Sequence, residues 1–284
     1  MLSRLPDSDI ERFIDEDLPY GDLTTHLLAI GDRPGSIAFT TREETMLCCS
    51  EEAGRVLEKC GCTVTEMRPS GTRLASGETF LVATGPAGGL HAGWKVALNL
   101  LEYASGIASR TRRIVDASKV INPAVVVVTT RKSFPGTKRI AIKAIMAGGA
   151  LPHRLGLSET ILVFRQHTVF MGGLDAFLQG MGDLRARAPE NRIIVEADSA
   201  AEALRIAAAG VDVVQVDKIP PHELTSLVAE IRSVNPAVKI SAAGGINEGN
   251  AADYAATGID IIVLSSVYFG KPADIGVTII PLAA

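Results

Sequence analysis

The sequence predicts an α/β fold in which about six parallel strands form a C-terminal α/β barrel, preceded by a smaller α+β layer. Three observations carry this. From about residue 124 onward, short β-branched runs alternate with amphipathic stretches, the signature of strand–helix units in series. These strands are continuous apolar runs rather than alternating ones, as expected where both faces are covered. No dinucleotide-binding glycine fingerprint follows any strand, which favours a barrel over an open sheet.

In chain order, short β signals at 36–40, 64–67 and 79–83 surround a helix at 51–59, with Ser50 as its N-cap and Gly61 as its stop. A long amphipathic segment, 90–121, is interrupted by Ser105-Gly106 and reads as a pair of packed helices. Six strands follow, at 124–128, 161–164, 193–196, 213–216, 238–241 and 259–264. Between them lie helices at 200–209, closed by Gly210, at 221–234, opened by a proline, and at 247–257, opened by Asn247 and closed by Gly258.

The 284 residues are 47% hydrophobic and 21% charged, which excludes intrinsic disorder. A net charge of −4 gives no bulk attraction to nucleic acid or to an anionic membrane, so any anion must be met by a local site. No apolar run approaches the roughly 20 residues of a membrane-spanning helix, and Met1 to Ile10 lacks the layout of a secretory signal. A cytoplasmic protein is expected. Cys48, Cys49, Cys60 and Cys62 lie in one stretch without an accompanying histidine, which suits buried thiols in a reducing compartment better than a zinc site.

The chemistry of a barrel sits at the C-terminal ends of its strands. Thr129-Thr130-Arg131-Lys132 follows the first strand, His153-Arg154 follows a helix and a double glycine, and Glu196 and Asp217 end the third and fourth strands. Cations facing two carboxylates suit a substrate that carries both anions and a magnesium ion. The turn Ala243-Gly244-Gly245, leading into a helix at Asn247, offers bare backbone N–H groups to a phosphate, and Ser265-Ser266 lies where a second phosphate loop is expected. Each residue also has a purely structural reading: a solvated Arg131-Lys132 pair, a hydrogen-bonded His153, salt-bridging acids. Holding all of these at once would bury several cations near two acids with no ligand, at a cost in stability.

Glu16-Asp17-Leu18, Gly21-Asp22-Leu23-Thr24-Thr25, Ala97-Leu98-Asn99, Ser105-Gly106-Ile107-Ala108, Thr130-Arg131-Lys132 with Pro135-Gly136, Gly148-Gly149, His153-Arg154-Leu155-Gly156-Leu157 and Asp274-Ile275-Gly276 occur in this order. Together they resemble quinolinate phosphoribosyltransferase over essentially the whole chain, and most closely a subgroup associated with molybdenum transport genes. The resemblance implies an N-terminal open-sandwich domain (1–109), the barrel (110–270) and a C-terminal segment (271–284) that returns to the first domain. It also implies a head-to-tail homodimer, with a higher oligomer open. By resemblance, Arg131, His153 and Arg154 grip an aromatic or heterocyclic acid, and Lys132, Glu196 and Asp217 handle phosphoribosyl pyrophosphate and its Mg2+. Gly244 and Gly245 hold the 5-phosphate. Lys95 stands where the family has an arginine reaching in from the partner subunit, which keeps the charge but loses the bidentate fork.

The chain departs from the family at Phe164-Arg165-Gln166-His167, where the family reads Lys-Asp-Asn-His, at Pro152, which replaces an asparagine, and at 264–269, which replaces a Gly-Ala-Leu-Thr-His stretch. The expected reaction is therefore pyrophosphate-releasing phosphoribosyl transfer to an acceptor other than quinolinate. The alternative is a non-catalytic accessory of molybdate transport that binds oxyanions in the same pocket.

Overall fold

The computed structural model describes residues 4–283; residues 1–3, the start of the N-terminal stretch weighed above as a signal, and residue 284 lie outside it. The chain forms two compact units. One comprises the residues up to Arg112, Phe134–Gly149 and the residues from Val267 on, and the other comprises Arg113–Ser133 and Ala150–Ser266.

The first unit is built on a four-stranded antiparallel sheet. Strands β1 (Pro34–Thr41), β3 (Thr63–Met67) and β5 (Thr79–Pro86) and the C-terminal strand Ile275–Pro281 lie in the order C-terminal strand, β1, β5, β3. The short strands β2 (Thr45–Met46) and β4 (Arg73–Leu74) pair separately. Along β1 every second residue is buried, Ile37, Phe39 and Thr41 among them, as in a sheet with one covered face. Helix α3 (Ser50–Lys59) packs on β3 and β5, and α1 (Asp7–Asp17) packs on α3. Helices α2 (Leu23–Leu27) and α5 (Lys138–Ala147) and most of α4 (Ala87–Ile121) belong to the same unit.

Two expectations fail here. The N-cap of α3 is Cys49, in the left-handed region at φ 63°, while Ser50 lies inside the helix with its hydroxyl buried and unpartnered. Segment 90–121 is no helix pair: α4 runs 35 residues without a break. Ser105 and Gly106 are packing choices, not breakers. Ser105 Oγ accepts from Cys48 N at 3.0 Å, and a side chain on Gly106 would meet the 271–273 backbone, with Lys271 O at 2.9 Å.

The second unit holds seven parallel strands: β6 (Val126–Thr129), β7 (Leu151–Pro152), β8 (Ile161–Val163), β9 (Ile193–Ala197), β10 (Val213–Asp217), β11 (Lys239–Ala243) and β12 (Ile261–Leu264). Their order is β7, β6, β12, β11, β10, β9, β8, and the end strands β7 and β8 each pair on one side only, so the α/β barrel is open. The added strand, β7, is two residues long and leaves no apolar run to read. Helices α6 (Arg165–Thr168), α7 (Leu174–Gln179), α8 (Met181–Arg187), α9 (Ala200–Ala208), α10 (Pro221–Val234) and α11 (Ala251–Ala256) connect the strands. Inward-facing side chains form two small apolar layers, Val128, Ala243 and Val263 in one, and Leu162, Ile194 and Val213 in the other.

The expected helix at 247–257 is shorter than its pattern. Asn247 does not cap it; Asn247 and Asn250 fold a turn, with Asn247 N donating to Asn250 Oδ1 at 2.8 Å, and the helix begins at Ala251. Polar side chains there satisfy backbone groups that a helical turn would otherwise have used.

Candidate functional site

Because β6 to β12 run parallel, their C-terminal ends share one edge, and a cavity of about 640 Å³ opens there within the second unit. Its lining includes Arg131, Lys132, His153, Arg154, Phe164, Glu196, Asp217, Ala243, Gly244, Gly245 and Ser265. Leu162, Ala243 and Val263 carry the inner apolar layers up to it.

The carboxylates sit on neighbouring strands. Glu196 is half-buried near the end of β9 and accepts from Gln215 Nε2 at 2.7 Å. Burial, with Asp217 and Asp198 nearby, raises its pKa above the ordinary 4.5 despite that hydrogen bond. Asp217, the last residue of β10, pairs with Lys218 Nζ at 3.0 Å, and Lys218 itself takes a left-handed φ of 57°. That pairing raises the Lys218 pKa. On the cationic side, burial first and the Arg154 charge second lower the His153 pKa, which favours the neutral imidazole. Burial and the charge of Arg131 also lower the pKa of Arg154, which stays charged.

Gly244 and Gly245 both adopt left-handed conformations, at φ 87° and 73°. A Cβ on Gly244 would lie 2.5 Å from Asp217 Oδ1 and 3.1 Å from Lys218 N, so this glycine is needed for Asp217 to stand where it does, whatever ligand binds. Gly245 has open space where its side chain would be. The N–H groups offered here come from the turn itself, since α11 starts further on.

Phe164 sits at the end of β8, as the N-cap of α6, with its ring stacked on His167 at a centroid distance of 5.8 Å. Its backbone N–H donates to His167 Nδ1 at 3.0 Å. Arg165 is the first residue of α6 and exposed. Two expected site residues are not in this cavity. Ser266 Oγ donates to Ile246 O at 2.9 Å, and Lys95 is exposed on α4 in the first unit, with Nζ 4.4 Å from the centre of the Trp94 ring. Gln215, Lys218, Gln166 and Thr130 also line the cavity. Gln215 was legible in principle, as the one polar residue inside the run Val213 to Val216.

A family model for the C-terminal domain of quinolinate phosphoribosyl transferase matches residues 107–278, and the N-terminal domain model matches residues 22–105. The chain belongs to the quinolinate phosphoribosyl transferase family. Among relatives of this family, ModD of Rhodobacter capsulatus, assigned by name to the pyrophosphorylases, is 42% identical over 250 residues, covering 87% of this chain and 95% of that one. The carboxylating nicotinate-nucleotide pyrophosphorylase of Rattus norvegicus is 30% identical over 264 residues, 92% of this chain and 86% of its own. The crystal structure of NadC from Streptococcus pyogenes, 25% identical, superposes with a TM-score of 0.88 over 99% of this chain and 100% of that chain. The quinolinate phosphoribosyl transferase fold therefore spans both units, and ModD proteins are the more similar branch by identity. Among the described residues, no helix is long and apolar enough to cross a membrane and no group of three or more His, Cys, Asp or Glu is placed to hold a metal ion; Cys48, Cys49, Cys60 and Cys62 are free thiols.

Proposed function

We propose that the chain transfers the 5-phosphoribosyl group of phosphoribosyl pyrophosphate to a ring nitrogen of an aromatic or heterocyclic acid. The nitrogen lone pair forms a bond to C1 of the ribose, the C1–O bond to pyrophosphate breaks, and pyrophosphate leaves with that electron pair. The observation that carries this reading is the single cavity in which Arg131, Lys132 and Arg154 share a lining with Glu196 and Asp217. An oxyanion carrier gains nothing from two carboxylates beside its ligand, which argues against the molybdate-binding alternative.

Lys132, which lines the cavity, neutralises the departing pyrophosphate in this reading, and the N–H groups of Gly244 and Gly245 hold the 5-phosphate. Glu196 and Asp217 bind the ribose hydroxyls and stabilise the positive charge that develops at C1 as the leaving bond stretches. Arg131 and Arg154 orient the acceptor carboxylate, with neutral His153 as a hydrogen-bond partner. The donor set fits Mg2+: two hard carboxylates, Glu196 and Asp217, line the same cavity. Held by Glu196 and Asp217 together with the substrate phosphates, Mg2+ would supply charge neutralisation on the pyrophosphate.

The acceptor is not quinolinate in this proposal, because Phe164 presents a phenyl ring where the resemblance puts a lysine. The remaining parts, a cytoplasmic homodimer with Lys95 completing a neighbour's site and a link to molybdenum transport, rest on the family resemblance. Calorimetric titration of phosphoribosyl pyrophosphate with Mg2+ tests the reading: wild type binds, and Asp217→Ala weakens binding at least tenfold. Equal affinity in both, or binding of molybdate alone, contradicts it.

A further inference from the structure

A second chamber of about 700 Å³ runs along β8, the edge strand where the barrel stays open, and shares Arg131, Arg154, Leu162 and Phe164 with the cavity described above. Its other walls are largely apolar, with Leu157, Val163, Met171, Phe177 and Leu184 among them, and no carboxylate lines it. Thr160 and Arg187 also line it, and Arg187 adds a third guanidinium. Apolar walls with guanidinium groups at one side and no carboxylate in the lining describe the complement of an amphipathic acid.

We propose that this chamber is an acceptor subsite, and that the substrate is a nitrogen-heterocyclic monocarboxylic acid bearing an apolar arm. The inference rests on the transferase reading and extends it. The carboxylate meets Arg131 and Arg154 at the junction of the two spaces, which leaves the ring nitrogen toward the ribose and the arm against the Phe164 ring. A lysine at position 164 would put a charge at the mouth of an apolar chamber, so phenylalanine there and the chamber beyond it form one specificity device.

Calorimetry with pyridine carboxylates, unsubstituted or carrying a phenyl group at each ring carbon in turn, tests this alongside a titration with phosphoribosyl pyrophosphate and Mg2+. Burying a phenyl-sized arm strengthens binding by about tenfold to a hundredfold, so at least one phenyl isomer should exceed the unsubstituted acid by that factor. Leu184→Trp, which fills the chamber, should erase the gain. Met171→Trp serves the same purpose from the more exposed rim if the first variant does not fold. Equal affinity of all isomers, or a gain that both tryptophan variants leave intact, overturns the subsite while phosphoribosyl pyrophosphate binding stands. If the wild type does not bind phosphoribosyl pyrophosphate, the transferase reading falls and takes the subsite with it.

Discussion

Gln215 and Glu196 are direct partners across β10 and β9, and the Gln215 amide donates to the Glu196 carboxylate at 2.7 Å while its own Oε1 is buried without a partner. A glutamine inside an apolar strand thus holds a carboxylate in place at a cost in hydrogen bonding. Burial keeps the Glu196 pKa above 4.5, so the native state holds this proton more tightly than the unfolded chain does. Stability falls as pH rises from 4.5 through the native value, and stays lower above it. Glu196→Gln should therefore raise the neutral-pH melting temperature, with the difference fading below the ordinary carboxylate range, while turnover drops by about ten- to a hundredfold. Thermal melts across pH check the first part and steady-state assays the second.

Gly244→Ala and Gly245→Ala should separate conformation from crowding. Both pay about 1–2 kcal/mol for a side chain in a left-handed conformation. Only Gly244→Ala also pushes on Asp217, 2.5 Å from the added carbon. Urea melts should show comparable losses or a larger one at Gly244, and calorimetry should show a much greater loss of phosphoribosyl pyrophosphate affinity for Gly244→Ala.

In the first unit, buried Lys143 pairs with Glu51 at 2.9 Å and with fully buried Glu52. Burial pushes Glu51 upward, but hydrogen bonds from Ser70 and Lys143 outweigh it and hold the pKa at about 2. The stability this group contributes is present above 4.5 and lost as pH falls toward 2. Lys143→Met should cost about 3–5 kcal/mol at neutral pH and flatten that acid dependence, measured by denaturant unfolding over the acid range.

The barrel elements were the most legible part of the sequence. The helix at 221–234 matches its pattern residue for residue, and the runs at 193–196 and 213–216 become β9 and β10, each one residue longer. What escaped lacked local signal. β7 is two residues long, and α6 to α8 fill 165–187 with short helices broken by Gly172, Gly173 and Gly180. Ser105-Gly106 misled because its reason is tertiary, the close passage of residues 271–273. At the site, charged residues at strand ends were readable one by one, whereas the dependence of Asp217, at the end of β10, on Gly244, just after β11, joins positions distant in sequence and appears only in three dimensions.

Lys95, exposed on α4, is expected to complete the site of a second copy. Lys95→Ala and Asp217→Ala, each inactive or nearly so, should recover up to about a quarter of wild-type activity when mixed, because a shared-site dimer forms hybrid sites. Activity of the mixture after verified subunit exchange decides it, and no recovery counts against sharing.

The central claim, a phosphoribosyl transferase whose acceptor differs from quinolinate, is tested most directly by steady-state pyrophosphate release with quinolinate in the wild type and in Phe164→Lys. Phe164 packs beside the Leu162, Ile194 and Val213 cluster, and a charge-assisted hydrogen bond absent there is worth about 1.5–3 kcal/mol, or a factor of roughly ten to more than a hundred. The account predicts poor quinolinate turnover by the wild type, faster turnover by Phe164→Lys, and efficient wild-type release of pyrophosphate with a monocarboxylic heterocyclic acid. Efficient wild-type turnover of quinolinate, unimproved by the lysine, would contradict it.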